Sequence, residues 1–278
     1  MKKTAVLIPF YRNFLEEFEE KSLNNNLTIL QGHKIYIIAP IKFKFDDDFN
    51  ELVKNYKIEI IFFNNVFFKS IKGYNKLLID LNFYKRFNNY QYLLICQLDA
   101  LAISNNLNLW VDKKYDYVGA PWVNSFKNIF NLDSMGNGGF SLRRVSKFIE
   151  VLESKQLYFS DHKFYNTSLR IGLKYLIIIK LLAKFQFGSF NKLSFFKFLY
   201  NDNEDYFWAF IAKFFVQEFS LPNSYEALEF SFEVNPKKCF ELNKNRLPFG
   251  CHAWNKYDLK FWEDKMPILK NSIKKRNF

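Results

Sequence analysis

Cysteine is scarce in this sequence. Its 278 residues include only three, Cys96, Cys239 and Cys251, and no two of them form a CxxC pair. So few cysteines at this spacing exclude both a disulfide framework and a structural zinc site. The cysteine content therefore suits a reducing cytoplasm.

Long apolar runs are also lacking. The amino-terminal run is six residues long and ends before Tyr11 and Arg12, too short for a secretory core, so we expect a first strand and a cytoplasmic location. The most apolar later stretch, 169–187, is interrupted by lysines and is not an uninterrupted membrane span of about 20 residues. It is interpreted either as a helix packed on the core or as a basic amphipathic segment at the periphery of an anionic membrane.

Glycine and proline are too few and too dispersed to mark a linker, with 9 and 7 occurrences. No stretch rich in Pro, Gly or Ser divides the chain, and no internal repeat is visible. We therefore expect one domain over residues 1–278.

Charge and apolar content are plentiful. Forty Lys and Arg against 28 Asp and Glu give a formal charge of +12, and 49% of the residues are hydrophobic. The apolar fraction excludes a disordered chain and is enough for a full core. The positive surface attracts phosphates of a nucleotide, a nucleic acid or an anionic bilayer, although dispersed lysines are equally typical of an ordinary solvated surface.

Short apolar runs alternate with helical patterns in the first half, which predicts an α/β fold with a mostly parallel sheet. Ligands of such sheets bind beyond the carboxyl ends of the strands, so "IPFYR", "IAPIK" and "QLDAL" are expected along one rim. The predicted strands are 4–9, 34–39, 58–63 and 91–98, and the predicted helices are 13–23 and 70–87.

The pattern changes after residue 115. We predict a helix at 144–154, a variable basic and aromatic segment at 155–200, and a further helix over "NEDYFWAFIAKFF". "ALEFSFE" is predicted to be a strand, "LPFGCHAW" a loop, and the Lys-rich end from about 256 a helix.

Four polar motifs interrupt apolar surroundings: "GYNK" at 73–76, "QLDAL" at 97–101, "GNGGFSLRR" at 136–144 and "NEDYFW" at 203–208. Taken singly, an NGG is typical of a turn, and acids before an apolar run are typical of a helix start. A carboxylate at the end of a buried strand, as at Asp99, is costly unless it is paired or bound to a metal.

Together and in this order, the motifs resemble those of the GT-A glycosyltransferases, in particular the metal-dependent, inverting galactosyltransferase-like branch. "VLIPFYRN" is similar to its first strand and loop, and "GYNKLLIDLNFYKRFNNYQYLLICQLDA" to its basic helix leading into the DxD strand. "NGGFSLRR" is similar to its sugar-facing turn, "NEDYFW" to its catalytic-base motif and "CHAW" to its late histidine. "QLDA", "NGGFSLR" and "LPFGCHAW" also resemble a bacterial surface-polysaccharide family long labelled as of unknown function.

The resemblance implies a Rossmann-like three-layer GT-A fold with a helical insertion. Residues 1–110 would be the nucleotide-binding half, 111–255 the acceptor and catalytic half with the variable segment 155–200, and 256–278 a C-terminal helix. The implied activity is inverting transfer of a sugar, from UDP as the best guess, to a glycan or lipid-linked glycan of O-antigen, lipopolysaccharide or capsule.

The resemblance also implies roles for single residues. Asp205 would be the base that deprotonates the acceptor hydroxyl, Glu204 would bind an acceptor or sugar hydroxyl, and Trp208 would either stack on the acceptor ring or pack in the core. The implied donor-binding residues are Pro9, Phe10, Arg12, Asn75, Lys76, Gln97, Asp99, Asn137, Gly138 and Gly139.

Gln97 stands where the DxD pattern has its first acid. The implied ligands of a Mn²⁺ or Mg²⁺ ion are then Asp99 and His252, with Gln97 on the ribose or sugar and with Arg12 and Lys76 adding positive charge to the diphosphate. His33 and His162 are interpreted as structural or surface groups. Arg143 and Arg144 are expected to begin a helix, facing either phosphate or solvent.

Two other interpretations stay open. A sugar nucleotidyltransferase has a similar sheet but needs a glycine-rich, basic loop after its first strand, which "IPFYRNFLEEF" lacks. A basic protein that binds nucleic acid or membrane without catalysis would also have this charge and aromatic content. On the leading interpretation we expect no nucleic-acid partner.

Overall fold

The computed structural model describes residues 2–12, 14–45, 47–126, 129–160, 164, 172–184 and 191–270. The strands in these ranges are β1 (Lys2–Pro9), β2 (Lys34–Pro40), β3 (Glu59–Phe63), β4 (Tyr90–Cys96), β5 (Leu101–Ala102), β6 (Tyr117–Val118), β7 (Pro121–Phe126), β8 (Ile129–Met135), β9 (Phe140–Arg144), β10 (Ser231–Phe232) and β11 (Gly250–Cys251).

The helices in the same ranges are α1 (Glu17–Ile29), α2 (Asp47–Asn55), α3 (Ile71–Leu77), α4 (Leu81–Lys85), α5 (Leu107–Asp112), α6 (Val145–Glu153), α7 (Leu173–Lys184), α8 (Lys192–Leu199), α9 (Glu204–Tyr206), α10 (Ser224–Phe230), α11 (Pro236–Leu242) and α12 (Leu259–Lys265). Helix α9 continues into a π-helical turn at Phe207–Ile211 and a 3₁₀ turn at Ala212–Phe214. Further 3₁₀ turns lie at Asn65–Phe67 and Pro267–Leu269.

The main sheet has six strands in the order β3-β2-β1-β4-β9-β6. The β1 strand pairs in parallel with β2 and β4, β2 pairs in parallel with β3, and only β9 runs antiparallel to its neighbours β4 and β6. The predicted α/β fold with a mostly parallel sheet is confirmed. The strand order reverses between β1 and β4, which opens a crevice beyond their carboxyl ends.

Both faces of the main sheet are covered by apolar side chains. In β1, Ala5 and Leu7 belong to the core on one face, while Val6 and Ile8 belong to the core on the other. Parallel strands buried on both faces have nearly continuous apolar sequences. This is why the four predicted strands agree with β1 to β4 to within about two residues at each end.

A small sheet, β10-β11-β5, lies beside the crevice. The β10 and β11 strands are parallel, with Phe232 opposite Cys251, and β11 is antiparallel to β5, with Cys251 opposite Leu101. The residues that follow β10 and β11 are thereby brought next to the loop that precedes β5.

Helix α1 is polar on its buried side and supports two loops. Asn26 donates from Nδ2 to the Ala100 carbonyl (2.8 Å) and accepts from the Ala102 N–H (2.7 Å), and Asn25 donates to the Ala102 carbonyl (2.7 Å). Ser22 accepts from the Trp254 indole N–H (2.8 Å). These buried bonds fix the loop after β4 and the loop after β11 on one helix.

Two predicted helices have different bounds in the structure. The helix predicted at 13–23 begins at Glu17, because Glu16 and Glu19 form a capping box, and it ends at Ile29. The helix predicted at 70–87 is two helices, because Asp80 caps the second by accepting the N–H groups of Asn82 and Phe83.

Two other predictions of secondary structure were wrong. "ALEFSFE" is mostly helical, since Asn223 caps α10 and only its last residues enter β10. Arg143 and Arg144 do not begin a helix, because they end β9 and α6 starts at Val145. The terminal helix is α12, and residues 271–278 lie outside the described part of the chain.

Within the described ranges, every helix is too short or too polar to cross a bilayer.

Candidate functional site

A cavity of about 730 Å³ opens beyond the carboxyl ends of β1 and β4. Its walls come from the loops after these strands, the start of α3, the turn before β9, the start of α9 and the loops after β10 and β11. The polar side chains that line it are Tyr11, Arg12, Glu19, Lys69, Ser70, Tyr74, Asn75, Gln97, Asp99, Asn137, Asn203, Glu204, Asp205, Glu233 and His252.

His252 stands between two carboxylates in this cavity. Its Nε2 lies 3.2 Å from Asp99 Oδ1 and 3.2 Å from Gln97 Oε1, while its Nδ1 lies 3.0 Å from Glu233 Oε1. Burial lowers the pKa of His252, but Asp99 and Glu233 outweigh burial and raise that pKa to about 10. The imidazole is therefore held in a fixed orientation by groups on both of its ring nitrogens.

The donor set on the Nε2 side fits a divalent cation that displaces the Nε2 proton, because histidine binds metal ions as the neutral imidazole. Gln97 Oε1 and Asp99 Oδ1 each lie 3.2 Å from His252 Nε2, and neighbouring ligands of an octahedral Mg²⁺ ion lie about 3 Å apart. Glu233 lies on the other nitrogen, where a carboxylate commonly orients a metal-binding histidine. Among the described residues, no three His, Cys, Asp or Glu side chains form a metal cluster, so an ion here would depend on Gln97 and on ligand oxygens.

Glu233 was missed by the sequence analysis. It follows β10 directly, as His252 follows β11, and the parallel pairing of these strands makes the two residues neighbours. The His252 N–H donates to the Phe232 carbonyl (3.0 Å), which continues this pairing. The signal in the sequence was an acid at the end of "EFSFE", but its partner lies 19 positions further on.

The turn before β9 joins several walls of the cavity. Asn137 has a φ of 77°, and its side-chain oxygen accepts the N–H groups of Gly139 (2.9 Å) and Phe140 (3.1 Å). A Cβ atom on Gly138 would collide with Glu204 Oε1, and one on Gly139 would collide with His252 Nε2. The two glycines therefore make room for the side chains of Glu204 and His252.

Glu204 forms a buried ion pair with Arg143 behind the cavity. Arg143 donates to both carboxylate oxygens (2.7 and 3.0 Å) and also to the Tyr84 hydroxyl (2.9 Å) and Ser141 Oγ (3.1 Å). Burial raises the pKa of Glu204 to about 7, against the lowering effect of Arg143. The Arg143 guanidinium faces neither phosphate nor solvent, since its side chain is fully buried.

Asp205 is adjacent to Glu204 but lies in a different setting. Its Oδ2 accepts the Asn137 N–H (3.0 Å) and its Oδ1 accepts the Tyr206 N–H (2.8 Å). Burial raises its pKa, although the two backbone donors partly oppose the shift. Within the described ranges, no Lys, Arg or His side chain lies at salt-bridge distance from Asp205, so its carboxylate can still accept a hydrogen bond from a ligand hydroxyl.

Three of the predicted site residues do not line the cavity. Trp208 is fully buried, stacks on Phe148 at 3.8 Å between ring centroids and donates to the Leu78 carbonyl (3.1 Å), so of its two interpretations the structure has packing in the core. Phe10 is buried in a cluster of aromatic rings, and Lys76 is exposed in the last turn of α3.

Arg12 lines the cavity, but its charge is already compensated. It pairs with Glu19 (2.6 Å), whose side chain is buried, and with Glu16 (3.2 Å). Asn75 also lines the cavity, where it donates to Asn203 Oδ1 (3.1 Å) and accepts the Glu204 N–H (3.2 Å). Arg12 and Asn75 therefore both line the cavity and hold its neighbouring residues in place.

Tyr74 is a second residue that the sequence analysis missed. It lines the cavity from α3, and its buried hydroxyl lies beside the Gln97 side chain without a well-aligned hydrogen bond to a described residue. Buried polar atoms of proteins nearly always have a partner. The Tyr74 hydroxyl is thus available to a ligand.

His33 does not line this cavity. His33 lies in the turn before β2, where burial lowers its pKa. His162 lies outside the described residues.

A family model described as "Protein of unknown function (DUF5672)" matches residues 57–252. No curated protein matches the sequence. Solved structures that resemble the chain include the apo form of the glycosyltransferase GlyE from Streptococcus pneumoniae, with 13% identity and a TM-score of 0.44, covering 97% of this chain and 62% of that one.

Another is S. aureus TarS 1-349 in complex with UDP-GlcNAc, with 13% identity and a TM-score of 0.32, covering 52% of this chain and 46% of that one. The chain thus spans less than two thirds of the length of these solved chains. At such values the likeness does not establish a function.

Proposed function

The chain belongs to the DUF5672 family of proteins of unknown function, and we propose that it is a GT-A-type glycosyltransferase. It would move a sugar from a nucleotide sugar, with a UDP-sugar as the expected donor, to a glycan or lipid-linked glycan of a bacterial surface polysaccharide. The observation that carries the proposal is one cavity lined both by Asp99 with His252 and by Asp205, with Asn137 in hydrogen-bond contact with His252 and Asp205.

The Asp99 side suits the leaving diphosphate. Gln97, Asp99 and His252 would hold a Mn²⁺ or Mg²⁺ ion, which acts as a Lewis acid toward the phosphate oxygens when it is bound. The Glu233 carboxylate would keep the imidazole of His252 in its binding orientation. Arg12 contributes less positive charge than the resemblance implies, since Glu19 and Glu16 already pair with it.

The Asp205 side suits proton removal. In an inverting transfer, the acceptor hydroxyl oxygen bonds to the anomeric carbon while the bond from that carbon to the phosphate oxygen breaks. The hydroxyl proton passes to the Asp205 carboxylate, and the nucleoside diphosphate leaves with the bonding electrons. A pKa raised by burial brings this carboxylate closer to the pKa range of an efficient general base.

Glu204 is a poor alternative to Asp205 as the base. Both of its carboxylate oxygens accept hydrogen bonds from Arg143, and a proton added there would weaken a buried ion pair. We therefore assign Glu204 to the support of the turn before β9, through its contact with Gly138, rather than to an acceptor hydroxyl.

The experiment is a nucleotide-release assay with UDP-, GDP- and CMP-sugars, with and without Mn²⁺, in the presence of a glycan acceptor. Asp205→Asn should keep donor binding and lower transfer by roughly 10²- to 10⁴-fold. Asp99→Ala should instead weaken donor binding that depends on Mn²⁺. Asp112→Asn, on the surface and paired with Lys3, is the matched control and should change neither.

Failure of every donor to bind would contradict the proposal. So would an Asp205→Asn variant that retains full transfer. Consumption of a nucleoside triphosphate together with a sugar phosphate would assign the chain to the nucleotidyltransferases instead.

A further inference from the structure

The outer face of α7 alternates apolar and basic side chains. Leu173, Ile177 and Leu181 are 73%, 49% and 50% exposed, and the lysines between them are exposed as well. At about 100° per residue, all of these side chains fall within an arc of about 120°. The residues of this outer face are Leu173, Lys174, Ile177, Lys180, Leu181 and Lys184.

The opposite face of α7 is fixed in the core. Tyr175, Leu176, Ile179 and Leu182 are buried there. Because the core already holds an apolar face of the helix, the apolar residues on the outer face are not needed for packing against the described part of the chain. An amphipathic helix with only polar residues on its outer face would pack on the core equally well.

Helix α8 extends the same surface. The Lys174 Nζ donates to the Leu199 carbonyl (3.3 Å), and the Tyr175 and Tyr200 rings pack at 5.1 Å, so the start of α7 lies beside the end of α8. Phe198, next to Leu199, is 83% exposed. Leu173 and Phe198 are thus the sequence neighbours of two residues in contact, Lys174 and Leu199.

The helices α7 and α8 themselves carry charge of one sign, and a carboxylate, Asp202, lies at the start of α7, where it contacts Tyr175. The sequence has no Asp or Glu between Asp161 and Asp202, whereas it has Lys and Arg throughout that stretch. Elsewhere, surface lysines such as Lys3 and Lys85 pair with carboxylates. Lys174 contacts a carbonyl and Lys180 a phenylalanine ring, and no described carboxylate forms a salt bridge with either.

We propose that the paired helices α7 and α8 are a docking surface for a bilayer that contains anionic lipids. The exposed Leu, Ile and Phe side chains would enter the headgroup boundary, and the lysines would contact lipid phosphates. Neither helix could cross the bilayer, so the contact is peripheral.

The docking surface lies next to the candidate base. The Gly172 N–H donates to the Tyr206 hydroxyl (3.1 Å), Gly172 directly precedes α7, and Tyr206 directly follows Asp205. Insofar as the proposed function holds, this contact brings the acceptor side of the cavity close to the membrane. The expected acceptor is then a glycan carried on a lipid.

The test is co-sedimentation of the purified protein with vesicles of phosphatidylcholine, with or without phosphatidylglycerol. We expect binding to the anionic vesicles that decreases as NaCl is added. The double variant Ile177→Glu with Leu181→Glu should bind them roughly tenfold or more weakly. Leu109→Glu with Ile268→Glu, at residues 62% and 56% exposed elsewhere, adds the same charge and should bind normally.

Charge reversal of Lys174, Lys180 and Lys184 to Glu provides a second variant that leaves the apolar residues in place. We expect at least roughly a fivefold loss of binding for each lysine changed. Circular dichroism should show that both sets of variants fold.

Three outcomes would overturn the inference. The first is that the protein sediments equally with neutral and anionic vesicles, or sediments with neither. The second is that the two double variants weaken binding equally. The third is that the protein is a dimer in solution and that only the α7 variant dissociates it. The vesicle assay uses no nucleotide sugar, so its failure is distinct from a failure of the proposed function.

Discussion

Two neighbouring carboxylates, Glu204 and Asp205, show how differently adjacent parts of the wall of one cavity are built. Glu204 belongs to what we call the closed wall, whose polar side chains are hydrogen-bonded to one another. Arg143 donates there to Glu204, Tyr84 and Ser141. Asp205 belongs to an open wall, together with Asp99, His252 and Tyr74, where polar atoms face the space. The difference indicates that charge alone does not identify a catalytic residue, because a charge already paired inside the protein serves the fold.

The closed wall should respond to mutation mainly through stability. Arg143→Met would leave Glu204 buried without its partner, and we expect a loss of about 3–5 kcal/mol in the free energy of unfolding, measured by denaturant titration. Arg144→Met is the matched control, because Arg144 is partly exposed in its pair with Asp116 and should cost at most about 1 kcal/mol.

A second substitution checks the cause of that loss. If the unpaired charge is responsible, adding Glu204→Leu to Arg143→Met should restore much of the stability. Equal losses in Arg143→Met and Arg144→Met would contradict the distinction between a closed wall and the surface.

The support beneath the open wall should have the next largest effect. Asn26→Ala removes hydrogen bonds to the backbone of Ala100 and Ala102, and we expect it to lower the free energy of unfolding by about 1–3 kcal/mol. Donor binding should weaken as well, because the loop that carries Asp99 loses its anchor. Asn24→Ala, at an exposed position of the same helix, should leave both measurements unchanged.

The open wall should also set the pH dependence of transfer. Asp205 must be ionised to accept a proton, and burial raises its pKa, so activity should decrease as the pH falls through a value above the ordinary 3.8. Below that value kcat/KM should fall about tenfold per pH unit. An acid limb at the pKa of an ordinary aspartate, or the same limb in the residual activity of Asp205→Asn, would contradict the role of Asp205.

The sequence was sufficient to predict the parts of the fold that depend on local pattern. The β1 to β4 strands are buried on both faces and appear as apolar runs, and the rule for parallel sheets predicts Gln97 and Asp99 at the end of β4. The bounds of α1 were less predictable, since they depend on a capping box and on buried asparagines.

The parts that depend on distant pairing could not be predicted. Glu233 becomes a neighbour of His252 only through the register of β10 on β11, and Arg143 reaches Glu204 across 61 positions. Trp208 lies three positions after Asp205, a spacing that favours a shared face on a regular α-helix. The helix instead passes into a π-helical turn there, and Trp208 enters the core.

The smallest effect that we predict compares two tyrosine hydroxyls, one in each wall. The Tyr84 hydroxyl is bonded to the Leu78 carbonyl and to Arg143, whereas the buried Tyr74 hydroxyl lies beside Gln97 and has no well-aligned hydrogen bond to a described residue. Tyr74→Phe should therefore keep the free energy of unfolding and raise the donor Kd by roughly two- to tenfold, the value of one hydrogen bond to a ligand. Tyr84→Phe should do the reverse, with a loss of about 1 kcal/mol in stability and unchanged donor binding. If Tyr74→Phe left the donor Kd and KM unchanged, its hydroxyl would not contact the donor, and the division into a closed and an open wall would not extend to α3.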